Sequence, residues 1–121
     1  MKIVNVKDGE AKESEWEGFF GGKAYTQFIL NERYPAEDIQ IILVIFEPGT
    51  RNKFHTHSSG QVLYVTEGKG IVATRKEEHV VTPGMMIYFS PGEEHWHGAT
   101  DDSSFSHFSI MGQPSENIII A

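Results

Sequence analysis

His55 and His57 stand two residues apart, Gln61 follows four residues later, and His95-Trp96-His97 repeats the His-x-His pattern some forty residues on. Successive side chains of a β-strand point to opposite faces, so histidines at i and i+2 look the same way. Neutral imidazole nitrogen is a common ligand for divalent transition metals, and two rings on one face form half of a site. A further imidazole and a side-chain carbonyl, brought in by folding, would complete it. A lone His-x-His is more often an exposed or hydrogen-bonded pair, so the surrounding residues must carry the distinction.

The chain that positions these residues has 121 residues, the size of one domain with a real core. It contains no cysteine, which excludes disulfides, thiolate metal sites and thiol nucleophiles, so any metal must be held by nitrogen and oxygen. The formal net charge is −7, with acidic residues scattered along the chain, and that argues against a nucleic-acid partner. Lys2, Lys7, Asp8 and Glu10 interrupt the N-terminus before a signal-peptide core can form, and the run Ile41 to Phe46 is far too short to span a bilayer. The expectation is a soluble, cytoplasmic protein with no membrane partner.

Helix signals are scarce: the polar stretch Asn31 to Asp38 carries Pro35 in its middle and reads as a loop or a single turn. Strands are expected at Ala24–Leu30, Ile39–Phe46, Gln61–Thr66, Ile71–Arg75, His79–Thr82, Met85–Phe89 and Ser104–Met111. Turns are expected at Pro48-Gly49, Gly68-Lys69-Gly70, Pro83-Gly84 and Pro91-Gly92. Short strands at regular spacing indicate an all-β sandwich or barrel. The first twenty or so residues are more polar and read as an arm or edge strand, while Ile118-Ile119-Ile120 is apolar enough to need cover, a second subunit being one source.

The stretch Gly49 to Gly70 resembles the first motif of the cupin superfamily. Gly49, His55, His57 and Gly68 fall at that motif's intervals, and Gln61 stands where its glutamate usually does. The second cupin motif is matched by Gly84, Gly92 and His95, with Ser90 in place of its proline and Ala99 in place of its asparagine. The resemblance covers roughly residues 40 to 111. It implies an all-β, double-stranded β-helix or jelly-roll barrel forming a single domain over 1–121, with one divalent metal per chain held by His55, His57, Gln61 and His95. A narrower resemblance, in H-T-H-x-x-G-Q and P-G-E-x-H-W-H-G-A, is to small bacterial single-domain cupins that include manganese-dependent hydroxynitrile lyases. Glutamine is the third ligand in that group. Ser58-Ser59 departs from it, since those relatives often carry a proline there.

Three neutral imidazoles and one amide oxygen would leave a divalent ion its full formal charge. Such a site should hold its metal less tightly than a glutamate version but polarise a bound oxygen more strongly. Mn, Fe, Ni, Cu and Zn all accept this ligand set, and four protein ligands on a six-coordinate ion leave two positions open. His97, two residues after His95, should face the same interior, as an acid or base or as a partner for a backbone carbonyl. In the final strand Phe105, His107, Ser109 and Met111 share one face. The similar lyases have a histidine in this strand lining the cavity, which makes His107 a second candidate acid or base. His79, beside Glu77 and Glu78, reads as a solvated strand residue, and Leu63, Met86, Tyr88 and Trp96 as candidates to shape the pocket. The function these features favour is a metal-dependent lyase or dioxygenase acting on a small oxygen-bearing molecule; the competing reading is a non-catalytic ligand-binding module. A homodimer is the expected assembly.

Overall fold

The structure, a computed structural model, describes residues 1–16, 18–30 and 38–120. After a short 3-10 turn at Val6–Asp8 come eleven strands: β1 Lys12–Glu13, β2 Ala24–Leu30, β3 Ile39–Phe46, β4 His55–His57, β5 Gln61–Gly68, β6 Gly70–Thr74, β7 Glu78–Val81, β8 Met86–Phe89, β9 His95–Ala99, β10 Phe105–Gly112 and β11 Asn117–Ile119. They form two antiparallel sheets, in the orders β1-β2-β3-β10-β5-β8 and β11-β4-β9-β6-β7. The seven strands expected from the sequence are all present, β2 and β3 with the expected bounds. The stretch read as a loop or turn falls outside the described residues except for Asp38.

Strand alternation gives each inner face a gradient. Along β3 the inward residues run Phe46, Val44, Ile42, Gln40; along β10 they run Phe105, His107, Ser109, Met111; along β5 they run Val65, Leu63, Gln61. The β3 and β5 series pass from apolar to polar, and in β10 the polar His107 and Ser109 lie between Phe105 and Met111. The apolar ends meet in one core of Phe46, Leu63, Val65, Val72, Phe89 and Phe105 with Ala24, Val44, Val81 and Ala99. That core closes one end of the sandwich, and burial of its side chains, each worth about 1.5–3 kcal/mol for a large aliphatic or aromatic group, drives closure of the two sheets. The polar ends face a cavity of about 1070 Å³ at the other end.

The four proposed pocket-shaping residues lie elsewhere, three of them facing out of the barrel. Met86 and Tyr88 are 65% and 63% exposed, because in β8 it is Ile87 and Phe89 that point inward. Every residue of β8 is apolar, so its alternation does not identify the inner face. Trp96 is buried, but between two inward histidines it must face outward, where it lies under the Arg51 guanidinium at 4.6 Å. Leu63 does point inward, as part of the core plug. The tail is covered in part by its own chain: β11 pairs with β4, although Ile118, Ile119 and Ile120 keep 57%, 38% and 43% of their surface exposed.

The β5–β6 connection depends on Gly68. Its φ is +77°, and a Cβ there would collide with the Ser104 carbonyl oxygen at the start of β10. Gly68→Ala should therefore lower stability by about 3 kcal/mol, the upper end of the cost of a non-glycine residue in this backbone region, because the collision adds to the strain. Urea denaturation monitored by tryptophan fluorescence checks this value.

Candidate metal centre and its buried histidines

β4 and β9 lie side by side, with His55 opposite His95. Alternation turns His55, His57, His95 and His97 into the interior, all of them at least 95% buried. Ring centroids are 4.3 Å apart for His55 and His95, 4.8 Å for His55 and His57, and 5.3 Å for His57 and His95. Gln61 enters from the other sheet, with its Oε1 3.1 Å from His95 Nε2 and its Nε2 donating to Ser109 Oγ at 2.8 Å.

The outward ring nitrogens are all spoken for. His55 Nδ1 donates to the Lys53 carbonyl at 2.6 Å, His95 Nδ1 to the Glu93 carbonyl at 2.8 Å, and His57 Nδ1 to Asn117 Oδ1 at 2.5 Å. A neutral imidazole that donates from Nδ1 keeps its lone pair on Nε2. The three Nε2 lone pairs are thus left for the interior. His57 Nε2 is buried with no hydrogen-bond partner. Gln61 Oε1 and His95 Nε2, both acceptors in this arrangement, face each other. Buried acceptors brought together without donors suit a cation, and borderline-soft nitrogen with one amide oxygen suits a first-row divalent ion. The residues present therefore fit a metal.

His97 is placed differently. Among the described residues His55, His95 and His97 can bring ring nitrogens within 4.8 Å of one another, so His97 borders the same space. Its ring, however, is engaged by Asn52: Nδ2 of Asn52 lies 3.3 Å and 3.4 Å from the two ring nitrogens, and Asn52 Oδ1 accepts from the His97 backbone N–H at 2.9 Å. His107, edge-on to His97 at 4.9 Å, is wholly buried against Phe46 and Phe105. Neither of its ring nitrogens meets a partner in hydrogen-bond geometry, although the Phe108 backbone beside it opposes part of the effect of burial on its basicity. A register shift between β10 and β5 falls between Ser106 and His107, an irregularity of the kind that re-aims a side chain beside a site. His79 is on the surface, paired with Glu77 at 3.0 Å.

Burial is the main cause of every histidine shift here. It pushes His55 down to about 3, with the neighbouring His95 adding to the effect, and it pushes His95 and His107 each to about 4. His57 is lowered and His97 lies well below the ordinary value. All five rings are neutral at neutral pH, which leaves them free to ligate or to accept a proton.

The remaining cavity wall comes from the N-terminal arm. Trp16 stacks on Phe19 at 4.0 Å, and Phe19 packs edge-on to His55 at 4.8 Å. Trp16, Phe19 and Phe20 all line the cavity. Sequence reasoning missed this aromatic wall, and it missed Asn52 and Asn117. A buried-polar reading of Asn52, just before His-x-His, could have found one of them; nothing near Asn117 signals a partner 60 residues away.

The sequence model of the cupin domain matches residues 42–111. The chain belongs to the cupin family. A cupin-like protein from Thermotoga maritima has the same fold, with a TM-score of 0.82 at 29% identity over 96% of this chain and 90% of that one. The polyketide cyclase RemF from Streptomyces resistomycificus, at 19% identity, covers 100% of this cupin and 87% of its own chain with a TM-score of 0.83, a likeness of fold alone. An (R)-mandelonitrile lyase from Granulicella tundricola is 48% identical over 70 residues, which are 56% of this chain and 53% of the lyase. The match thus spans about half the length of that enzyme. Among the described residues of this cupin no helix is long and apolar enough to cross a membrane.

The lowered histidine values set a pH dependence. Below about 6.5 the unfolded chain takes up protons that the buried rings refuse, so stability is full above that pH and falls as pH drops towards about 4 and then 3. Thermal melts of the metal-free protein should show the midpoint falling across this window. His107→Phe, which removes one buried titrating ring, should make the fall shallower.

Proposed function

We propose that this cupin is a metal-dependent lyase acting on a small oxygen-bearing molecule of the cyanohydrin type. The observation that carries the reading is His107: a neutral, wholly buried imidazole with both nitrogens unpartnered, on the wall of the cavity that His55, His57 and Gln61 also line. An unsatisfied buried polar group costs about 1–3 kcal/mol, and a residue held that way beside a cavity is a candidate for chemistry. The mandelonitrile lyase relative supports the substrate class. The wall of Trp16, Phe19 and Phe20 supports an aryl substituent.

His55, His57, Gln61 and His95 would hold the metal, and Asn52 keeps His97 out of that set by donating from Nδ2 to its one lone-pair nitrogen. When bound, the ion supplies Lewis-acid polarisation of an oxygen. His107 then has one task in each half of the reaction. Its neutral ring accepts the substrate hydroxyl proton as the C–C bond to the nitrile breaks, giving an aldehyde and cyanide. The resulting imidazolium, disfavoured by burial, returns the proton to cyanide, so hydrogen cyanide leaves and the ring is restored. His97, edge-on to His107, orients that ring and shields it from water.

We also propose a homodimer formed through the outer face of the six-stranded sheet. Two cross-strand rows, Leu43-Phe108-Tyr64-Met86 and Ile41-Ile110-Val62-Tyr88, carry no charge. Two copies that each bear a net charge of −7 can approach most closely over such a surface, and an uncharged apolar patch suits a twofold contact. Light scattering at micromolar concentration should give the dimer mass, and Tyr64→Glu with Met86→Glu should give the monomer.

For the chemistry, protein loaded with Mn(II) should release cyanide from mandelonitrile. His107→Ala should keep the metal content and lower turnover about a hundredfold or more, the scale for a positioned acid or base. Activity that survives replacement by redox-inert zinc supports the lyase. Turnover that requires iron, copper or manganese together with dioxygen would replace it with oxygenation, and ligand binding without turnover would leave a binding module.

A further inference from the structure

The cupin match ends at residue 111, yet one side chain that touches the candidate metal set lies beyond it. His55 and His95 donate to the carbonyls of Lys53 and Glu93, each two residues back in the chain and just before the strand. Those bonds are local in sequence. His57 instead donates to a side chain, Asn117 Oδ1, at 2.5 Å. Antiparallel pairing sets Asn117 directly opposite His57.

The tail is fastened there by the turn that follows His-x-His. The Ser58 N–H donates to the Glu116 carbonyl at 2.9 Å, and the Glu116 N–H donates back to Ser58 Oγ at 2.8 Å. The Ser59 N–H donates to Ser115 Oγ at 3.3 Å, and the Ile120 N–H to the Phe54 carbonyl at 2.8 Å. A proline at 58 or 59 would remove one of these N–H donors, which gives Ser58-Ser59 a structural role.

We propose that Asn117 is a positioning residue for the metal centre: it holds the ring of His57 by Nδ1 so that Nε2 faces the ion, and the Ser58-Ser59 clasp keeps it there. The inference rests on the reading of His57 as a ligand. A hydrogen bond to the far nitrogen of a ligating histidine fixes its tautomer and orientation and raises its basicity, and losing it commonly costs 10–100-fold in metal affinity.

The test is titration of the metal-free protein with Mn(II) by calorimetry, and with Co(II) by its visible absorption. Asn117→Ala should weaken Mn(II) binding about 10–100-fold and alter the Co(II) spectrum. Asn117→Asp keeps an acceptor oxygen and should bind at least as tightly as the wild type. Ile118→Ala, which perturbs the same strand without touching His57, should leave affinity unchanged. Equal binding by wild type and Asn117→Ala would overturn the proposal, as would equal weakening in Asn117→Asp or Ile118→Ala. If Asn117→Ala does not fold, Asn117→Ser against Asn117→Asp decides on the same criteria. In each of these results wild-type binding stands, so the metal reading survives; a wild type that binds no metal would overturn both.

Discussion

Five imidazoles share the interior of this small barrel, and the need to keep them uncharged there governs the rest of the structure. Burial drives each towards its neutral form, and proximity reinforces this because a proton on one ring repels a proton on the next. A neutral ring still has a donor and an acceptor to place. The structure answers for three rings by sending Nδ1–H outward to Lys53, Glu93 and Asn117. For His97 it supplies a donor, Asn52 Nδ2, to the one ring nitrogen that keeps a lone pair. It gives no answer for His107, and that omission is the strongest sign of chemistry in the molecule.

The barrel makes the arrangement affordable by separating its two ends. The apolar plug around Phe46, Leu63 and Phe105 supplies the burial that holds the sheets together, while the same strands continue into the cavity with Gln61, Ser109 and the histidines. His107 sits where the two zones meet, against Phe46 and Phe105 on one side and His97 on the other. Its position explains both its depressed basicity and its access to the cavity. The aromatic arm then closes part of the opening, with Phe19 against His55.

The family gives the architecture, and segments outside the matched stretch contribute to the candidate site. Trp16 and Phe19 come from before it, Asn117 from after it. Cavity shape and ligand orientation can therefore vary among chains with the same barrel, because the groups that tune them are carried on short edge elements.

Much of this was legible in one dimension. Alternation and the Pro-Gly and Gly-Lys-Gly turns marked seven strands, and equal spacing in two His-x-His pairs marked the rings that share a face, because a strand's period of two is a local property of the backbone. Alternation could not say which face of β8 is inner when all four residues are apolar, and so Met86 and Tyr88 were expected inside and lie outside. It did imply that Trp96 opposes its flanking histidines, an implication the interior assignment overlooked. Asn117 and the aromatic arm had no local signal, and Asn52 had only its place just before His-x-His. Their roles come from which strands become neighbours, and that is decided by how the sheets close around the plug: a hydrogen bond spanning 60 residues, from His57 to Asn117, exists only once β11 has paired with β4.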